Sequence, residues 1–317
     1  MTIAIIGEAI IDFIANPQGE YQPHLGGSPY NVAIGLARNG ESVSYLSPFS
    51  SDNFGELMRT SLLHEGVQIP LQRRSRYPTS LAIVTNDASR QPSYTLYREG
   101  IADKDIALAE IAAQLPADLS VLHTGSLAIT PSQLPKIREL LQLMHRRSIV
   151  ISLDLNIRLG ASLDAEAYLE GVRSLMPYAD LIKASDEDLA PFQFAADTKR
   201  AAQIAHGQQG KGIFVLTQGA RETVLFTGDR VLQCAPPAVV DVQDTIGAGD
   251  TFYAAFLACL RRNGYCDLQT IHDAASAIGD TALLQALKYA NAAAAINVTR
   301  SGCAPPTRAE VQAFLDA

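Results

Sequence analysis

The sequence predicts an α/β fold in which a largely parallel β-sheet is wrapped by helices. Short runs of apolar and β-branched residues recur along the chain with helical segments between them, at residues 3–6, 43–46, 121–123, 149–153, 181–183 and 213–217. Strands that alternate with helices build parallel sheets through helical crossovers. Two segments that break this alternation, residues 13–22 and 80–98, predict a smaller sheet beside the main one.

Polar or glycine residues follow several of the predicted strands. They are Gly7-Glu8, Thr124-Gly125-Ser126, Asp154 with Asn156, Ser185, and Thr217 with Gly219. Ligands of open α/β sheets gather at the carboxyl ends of the strands. We therefore expect the functional site at this edge of the sheet.

The smaller sheet is predicted to be a lid. Residues 80–98 form two predicted strands joined by the turn-forming stretch NDASRQP at residues 86–92. An antiparallel flap on an α/β body suits a lid over a site. We expect one catalytic domain over residues 1–317, with a discontinuous β lid formed by about 13–25 and 79–100. The apolar face of such a flap needs cover, which predicts a homodimer through the lid.

Composition describes a globular chain and excludes several classes of partner. Of the 317 residues, 47% are hydrophobic and 18% charged, which allows a sizeable core. The net charge of -8 argues against binding to a nucleic-acid backbone or an anionic membrane. The four cysteines form no CxxC pair and have no ligand-like spacing to histidine, so they are predicted to be reduced thiols.

The start of the chain predicts neither a signal peptide nor a membrane anchor. The segment MTIAIIGEAIID has no basic region, and Glu8 and Asp12 interrupt its apolar run. No stretch reaches the roughly 18 uninterrupted apolar residues that a membrane span needs. We expect a cytoplasmic protein.

The segment DTIGAGDTF at residues 244–252 predicts a phosphate site with a catalytic base. A glycine-rich turn that opens a helix directs unpaired N–H groups and the positive end of the helix toward one point. Gly247, Ala248 and Gly249 would bind an anion there, and Asp250 would accept the proton of an attacking hydroxyl. Taken alone, a short GAGD motif could equally be a tight turn followed by a capping carboxylate.

The full segment resembles the C-terminal signature of the ribokinase-like, pfkB-type carbohydrate kinase family. The resemblance implies that Asp250 is the base and that the turn before it is the anion hole. It also implies a three-layer α/β/α sandwich with a mostly parallel central sheet and a small β-sheet lid. The absence of a GxGxxG turn after the first strand and of a GxxxxGK[ST] motif disfavours a dehydrogenase and a Walker-type NTPase.

The segment GGSPYNVAIGLARNG at residues 26–40 predicts a helix beside a sugar site. Ser28 can cap this helix, and Pro29 suits its first turn. Asn31 could hydrogen-bond either to the cap region or to a polyol. Asp12, alone in an apolar run, must face solvent or a polar ligand, because an unpaired buried charge is costly.

The resemblance favours the ligand for each of these residues. The segment is similar to the family's N-terminal signature, which implies that Asp12, Gly26, Gly27 and Asn31 bind the sugar. Tyr97-Arg98 and the D-x-N-x-R run that ends at Arg158 resemble the fructokinase branch, where the arginines reach the sugar and the transferred phosphoryl group. Glu99-Gly100-Ile101 and Gly160 depart from that branch, which leaves the choice of sugar open.

The resemblance also implies ATP as the phosphoryl donor, with Mg²⁺. The residues that match the nucleotide site are Lys183, Ser185, Thr217, Gly219, Ala220 and Asn291, in addition to Gly247 and Gly249. The family's N-x-x-E magnesium motif appears here only as Ser185-Asp186-Glu187-Asp188. A K⁺ site is common among relatives, and here it would use Asp244, Ile246, Asn297, Arg300 and Gly302.

The most consistent function is an ATP-dependent sugar kinase, with fructose as the expected sugar. A 2-keto-3-deoxygluconate kinase or another pfkB-type sugar or nucleoside kinase would share the same base. A catalytically inactive sugar-binding regulator is disfavoured, because a binding protein has no need of Asp250.

Overall fold

An eight-stranded β-sheet forms the centre of the protein, and a four-stranded sheet forms beside it. The computed structural model describes residues 1–16, 18–86 and 92–317. In chain order the strands are β1 Thr2–Ile5, β2 Ile10–Ala15, β3 Tyr21–Gly26, β4 Val43–Tyr45, β5 Ser80–Asn86, β6 Pro92–Tyr97, β7 Leu119–Gly125, β8 Val150–Asp154, β9 Leu181–Ser185, β10 Ile213–Thr217, β11 Thr223–Thr227 and β12 Arg230–Cys234.

Helices connect most of these strands. They are α1 Ser28–Arg38, α2 Asn53–His64, α3 Leu108–Ala113, α4 Leu134–Arg146, α5 Ala165–Arg173, α6 Asp186–Leu189, α7 Thr198–Gln209, α8 Ala248–Arg262, α9 Leu268–His272, α10 Ala274–Ala277, α11 Asp280–Asn297 and α12 Arg308–Asp316. Within the described ranges, none of them combines the length and the apolar character needed to cross a bilayer.

The central sheet confirms the predicted parallel arrangement. Its strand order is β12-β11-β10-β9-β8-β7-β1-β4, and the strands from β10 to β4 in this order run parallel. Each apolar run identified in the sequence forms one of these strands. Their carboxyl ends therefore share one edge of the sheet, where the polar residues after the strands collect.

The hairpin of β11 and β12 at one edge of the sheet was not predicted. β11 pairs antiparallel with β10, and β12 pairs antiparallel with β11. Thr227 pairs with Arg230, so Gly228 and Asp229 form a two-residue turn, and Gly228 has a φ of 53°. Gly-Asp between two short apolar strands is a recognisable hairpin signal that the sequence analysis missed.

Helices cover both faces of the central sheet, which gives the predicted three layers. Ile3 and Ile5 of β1 lie in a buried cluster with side chains of α1, α8 and α11. Ala4, between them, lies in a second cluster with side chains of α4, α5 and α7. Successive strand residues point to opposite faces, so a strand that is apolar throughout belongs between two helical layers.

The small lid sheet is confirmed, although its bounds differ from those expected. Its strand order is β3-β2-β5-β6, in which β2 pairs antiparallel with β3 and parallel with β5. Its first strand begins at Ile10 instead of near residue 13, so Asp12 belongs to the lid. Most of the turn predicted at residues 86–92 lies outside the described residues.

Helices α1 and α8 approach closely at Gly35. A Cβ atom added to Gly35 would lie 2.7 Å from the Cβ of Ala254, which is closer than real Cβ contacts come. These two helices carry the two glycine-rich segments of the predicted site. Their small contact residues therefore set how near those segments lie.

We expect Gly35→Ala to destabilise the protein by about 1–2 kcal/mol, because overpacking at the α1–α8 contact outweighs the gain in helix propensity. Gly207→Ala is the matched control, since Gly207 lies exposed in α7 with nothing within 4 Å of an added Cβ. That control should stabilise by about 0.5–1 kcal/mol. Urea unfolding measures both changes, and a gain in stability for Gly35→Ala would contradict the close contact.

Candidate active site

Asp250 lies in the first turn of α8, directly after the glycine-rich turn. Gly247 is the residue before the helix and has a φ of 70°, a left-handed conformation that glycine adopts without strain. A Cβ there would also lie 2.2 Å from the Cys303 Sγ, so no larger residue fits. The N–H of Thr251 donates to the Gly247 carbonyl at 2.8 Å, which begins the helical hydrogen bonding.

The turn leaves main-chain N–H groups available to an anion. The N–H of Ala248 donates to the Thr245 carbonyl at 3.2 Å. Within the described part of the chain, the N–H groups of Gly247 and Gly249 have no acceptor. These two groups, together with the positive end of α8, are therefore the donors that the predicted Gly247–Gly249 turn could offer to an anion.

Helix α1 holds both oxygens of the Asp250 carboxylate. The Ser28 hydroxyl donates to Oδ1 at 2.7 Å, and the Asn31 side-chain amide donates to Oδ2 at 2.8 Å. The expected capping role of Ser28 is wrong, because Gly27 is the N-cap residue and makes no side-chain cap bond. Asn31, expected to bind the sugar, is thus placed on the predicted base.

Asp12 faces the same space as Asp250. It lies on β2 with its Oδ2 only 2.3 Å from where a Cβ on Gly26 would lie, so a side chain at position 26 would displace the Asp12 carboxylate. Burial raises the pKa of Asp12 to about 6, with Arg158 opposing and Asp250 adding to the shift. The structure therefore brings Asp12, Arg158 and Asp250 together from the lid, the loop after β8 and α8.

Gly27 and Glu8 form the inner wall of this region. Gly27 has a φ of 105°, and a Cβ on it would lie 2.7 Å from the Glu8 carbonyl oxygen. The Glu8 side chain is buried and accepts from the Ser28 N–H at 3.3 Å. Burial raises the pKa of Glu8 to about 7, against the charge of Arg98. Glu8 was identified as a polar residue after the first predicted strand, but no role was predicted for it.

The three residues that resemble the fructokinase branch, Tyr97, Arg98 and Arg158, differ in their burial and in their hydrogen-bond partners. Arg98 is buried and donates to Asp103 and to Ser80, both at 2.8 Å. Tyr97 is 60% exposed at the end of the lid strand β6. The exposed Arg158 donates to its neighbouring carbonyl of Ile157 at 3.1 Å. Of the two arginines expected at the sugar, Arg158 faces Asp12, and Arg98 is engaged in a buried ion pair.

Lys183 and Asp154 form a buried ion pair beneath the glycine-rich turn. The Lys183 Nζ lies 3.1 Å from each Asp154 carboxylate oxygen. It is also 3.0 Å from where a Cβ on Gly249 would stand, so the ammonium group lies against the turn. Burial raises the pKa of Asp154 to about 7, and Lys183 opposes that shift. Asp154 was among the polar residues identified at the ends of the predicted strands, but its ion pair with Lys183 was not predicted.

Ser185 and Asp188 are occupied by local hydrogen bonds. Ser185 caps α6, and its N–H donates to the Asp188 Oδ2 at 2.7 Å in a capping box. The Asp188 Oδ1 accepts from the Ile157 N–H at 2.7 Å. Each oxygen retains acceptor capacity for a water molecule. In the described ranges no three His, Cys, Asp or Glu side chains are grouped to hold a metal ion.

The residues expected at the nucleotide lie at the end of β10 and on α11. Thr217 ends β10, Gly219 follows with a φ of 60°, and Ala220 is exposed. Asn291 on α11 accepts from the Thr223 hydroxyl at 2.9 Å and donates to the Cys234 carbonyl at 3.4 Å. These bonds tie α11 to the β11–β12 hairpin and hold Asn291 in place.

The five residues expected at a K⁺ site form one connected loop structure. Asp244 accepts from the N–H groups of Ile246 and Gly302, both at 2.9 Å. The Asn297 amide donates to the Ile246 carbonyl at 2.9 Å, and the Arg300 N–H donates to the Asn297 carbonyl at 3.0 Å. The loop before the glycine-rich turn is thereby fastened to the chain after α11.

One cavity lies outside the group of residues around Asp12 and Asp250. It has a volume of about 390 Å³ and lies between α6 and α7, lined by residues that include Leu189, Gln193 and Thr198. Its lining offers neither a positive charge nor a glycine-rich turn. The chemistry therefore points to the Asp12–Asp250 region and not to this cavity.

We expect Lys183→Met to destabilise the protein by about 3–5 kcal/mol at pH 8.5, because it leaves Asp154 buried without its partner. The loss should shrink at pH 6. The raised pKa of Asp154 means that the folded state binds a proton more readily than the unfolded state, so stability falls as pH rises. Urea unfolding at both pH values measures this.

Lys199→Met is the matched control, since Lys199 forms a partly exposed ion pair with Glu222. It should change stability by less than about 1 kcal/mol at either pH. Adding Asp154→Asn to Lys183→Met should recover much of the loss. Equal losses at pH 6 and 8.5 would argue against a charged, unpaired Asp154 as the cause.

Comparison with known proteins agrees with this geometry. Residues 2–310 match the family model described as pfkB family carbohydrate kinase. A fructokinase of Rhizobium leguminosarum bv. trifolii is 33% identical over 264 residues, which cover 82% of this chain and 79% of the relative.

Two solved structures match over almost the whole chain. A fructokinase of Xylella fastidiosa with bound ATP has a TM-score of 0.88 at 25% identity, covering 99% of this chain and 98% of its own. A fructokinase of Vibrio cholerae O395 with bound fructose, ADP and calcium has a TM-score of 0.83 at 25% identity, with the same coverage. The chain is a sugar kinase that belongs to the pfkB family of carbohydrate kinases.

Proposed function

We propose that this protein is a fructokinase, which transfers the γ-phosphoryl group of ATP to fructose and yields fructose 6-phosphate and ADP. The observation that carries the proposal is the placement of Asp250, held by Ser28 and Asn31 beside two N–H groups at the start of α8 that have no acceptor among the described residues. The likeness to fructokinases, one of them solved with fructose and ADP, supports the choice of sugar.

Asp250 acts as the general base in this proposal. Its carboxylate accepts the proton of the sugar hydroxyl as that oxygen forms a bond to the γ-phosphorus. The bond from the γ-phosphorus to the bridging oxygen breaks, and its electron pair leaves with ADP. The N–H groups of Gly247 and Gly249 stabilise the charge that spreads over the transferred group.

Residues from three elements orient the sugar. Asp12 lies next to the Gly26-Gly27 turn, close enough to Arg158 and to Asp250 for both charges to act on its carboxyl group. A carboxylate accepts two hydroxyl bonds from a polyol, and a guanidinium donates to hydroxyl and phosphoryl oxygens. In this arrangement one sugar hydroxyl lies at Asp250 and the others at Asp12, with Asn31, the exposed Tyr97 and the buried Arg98 at the margins of the sugar.

The nucleotide is proposed to lie along the carboxyl ends of β9 and β10. Lys183 and Ser185 lie on β9, Thr217 ends β10 with Gly219 and Ala220 after it, and Asn291 lies on α11. Lys183 supplies positive charge directly under the turn. The likeness to a fructokinase with bound ATP supports this placement.

Mg²⁺ neutralises charge on the phosphates when it is bound with the nucleotide. Asp188 fits that ion through water, because each of its oxygens has accepted one hydrogen bond and retains a lone pair. We further propose that the loop of Asp244, Ile246, Asn297, Arg300 and Gly302 holds a K⁺ ion, which would bind to main-chain carbonyls. The carbonyls of Ile246 and Asn297 each accept one hydrogen bond and keep a second lone pair. A related fructokinase was solved with potassium, and another structure of it with calcium.

A coupled assay of ADP release tests the proposal with fructose, 2-keto-3-deoxygluconate, ribose, glucose and nucleosides as acceptors. We expect fructose to give the highest kcat/KM. Asp250→Asn should lower kcat at least about a hundredfold, because it removes the base, while sugar and ATP binding by calorimetry remain near normal.

Asp280→Asn is the matched control, because Asp280 lies in the first turn of α11, away from the site. It should leave kcat unchanged. Preference for 2-keto-3-deoxygluconate would replace fructose as the substrate and leave the base assignment intact. Near-normal turnover by Asp250→Asn would remove Asp250 from the mechanism, and binding without turnover by the wild type would favour a regulator.

The protein is further proposed to form a homodimer through the lid. Tyr21 on β3 is 47% exposed and Tyr97 on β6 is 60% exposed, at the two edge strands of the small sheet. Apolar rings and strand edges left open to solvent favour pairing with a second copy.

We expect light scattering at micromolar concentration to give the mass of a dimer. Tyr97→Asp should shift the mass toward the monomer, because it places a charge on the proposed contact. Leu315→Asp on α12, also an exposed apolar position, is the control and should remain dimeric. A wild-type monomer would refute the dimer.

A further inference from the structure

The Ser28 hydroxyl donates a hydrogen bond to Asp250 instead of capping its own helix. A serine at the start of a helix commonly accepts a bond from an N–H of the first turn. Here Ser28 is the first residue of α1, and Gly27 takes the cap position without a side chain. The Ser28 Oγ instead donates to Asp250 Oδ1 at 2.7 Å, across 222 residues of sequence, and the residue is only 8% exposed.

The main chain of Ser28 is fixed from the opposite side. Its N–H donates to the buried Glu8 carboxylate at 3.3 Å. A Cβ on Gly27 would meet the Glu8 carbonyl at 2.7 Å, and a Cβ on Gly7 would meet Pro29 at 2.3 Å. The end of β1 and the start of α1 therefore lie in direct contact, and this contact sets the direction of the Ser28 hydroxyl.

The hydrogen bonds on Asp250 are compatible with its work as a base. A carboxylate has about four acceptor positions, two on each oxygen. Ser28 occupies one on Oδ1, the Asn156 amide donates to the same oxygen at 3.5 Å, and Asn31 occupies one on Oδ2, which leaves a position on Oδ2 for a sugar hydroxyl. A donor hydrogen-bonded to the ionised form favours that form over the protonated one.

We propose that Ser28 is a positioning residue for the catalytic base, whose hydroxyl keeps Asp250 ionised and in one orientation toward the sugar. The inference rests on the proposed kinase function and deepens it. Asn31 also donates to Asp250, but it lies toward the sugar region, so its substitution would affect sugar binding and the base together. Substitution of Ser28 tests the hydrogen bond to the base separately from sugar binding.

Other charged and titratable groups also face Asp250. Asp12 on β2 and Asp154 at the end of β8 are acidic, and Lys183 on β9 is basic. Cys303 faces it from the loop after α11, and burial raises the pKa of this thiol, which keeps it neutral. All of these groups remain in a Ser28 variant. A change in pH dependence on substitution at position 28 therefore reports the lost hydroxyl.

The first test is the pH profile of kcat/KM for Ser28→Ala between pH 5 and 9. We expect the acid limb to move up by about one pH unit, the scale of one hydrogen bond to a charged group. Activity should then fall about tenfold on that limb and change little at pH 9. Ser28→Thr keeps the hydroxyl and should restore the wild-type limb. Ser162→Ala, a partly exposed serine in the loop before α5, is the control.

The second test needs no activity. In protein labelled with ¹³C at the aspartate carboxyl carbons, the Asp250 signal is assigned by its loss in Asp250→Asn. Its titration midpoint should be higher in Ser28→Ala than in the wild type and in Ser28→Thr. Equal midpoints in all three, or a Ser28→Ala activity loss of the same factor at every pH, would overturn the proposal. If the wild type phosphorylates no sugar, the proposed function fails, and the titration still decides the role of Ser28.

Discussion

The structure depends on one contact between distant segments, the grip of α1 on the Asp250 carboxylate. Ser28 and Asn31 donate to its two oxygens, and Ser28 precedes Asp250 by 222 residues in the chain. Because α1 follows the Gly26-Gly27 turn and α8 follows the Gly247–Gly249 turn, this contact joins the two glycine-rich segments. The close approach of Gly35 to Ala254 makes it possible, since a larger residue would hold the helices apart.

Charge around this contact is arranged so that one buried cation serves several carboxylates. Asp154, Asp188 and Asp250 all face Lys183, and together they raise its pKa although burial acts against the charge. Lys183 binds Asp154 directly and lies against Gly249. A single ammonium group can thus offset acidic side chains and add positive potential beneath the turn where phosphate is proposed to bind.

The sequence predicted the parallel strands and the start of α8 because their signals are local. Apolar runs marked the strands, and the glycine turn marked Gly247 and Asp250. The β11–β12 hairpin was missed because its short Gly228-Asp229 turn was not weighed against the alternating strand and helix pattern.

Contacts between distant segments were harder to predict. Asp12 was predicted to face solvent or a polar ligand just before the lid, but pairing with β3 and β5 puts it within the lid. The sequence predicted that Ser28 caps α1, but its hydroxyl donates to Asp250. The ion pair of Arg98 with Asp103 was not predicted from the sequence either. The sequence identifies residues capable of chemistry, whereas tertiary contacts decide which of them meet.

The separation of Asp12 from Asp250 has a consequence for how a reaction cycle would end. Asp12 belongs to the small sheet, whereas Asp250, Ser28 and Asn31 belong to helices on the central sheet. If the small sheet moved away from the central sheet, Asp12 would leave the proposed sugar site, while Asp250 and its hydrogen-bond donors would stay in place. Departure of a phosphorylated sugar could then proceed without dismantling the groups required for the next turnover.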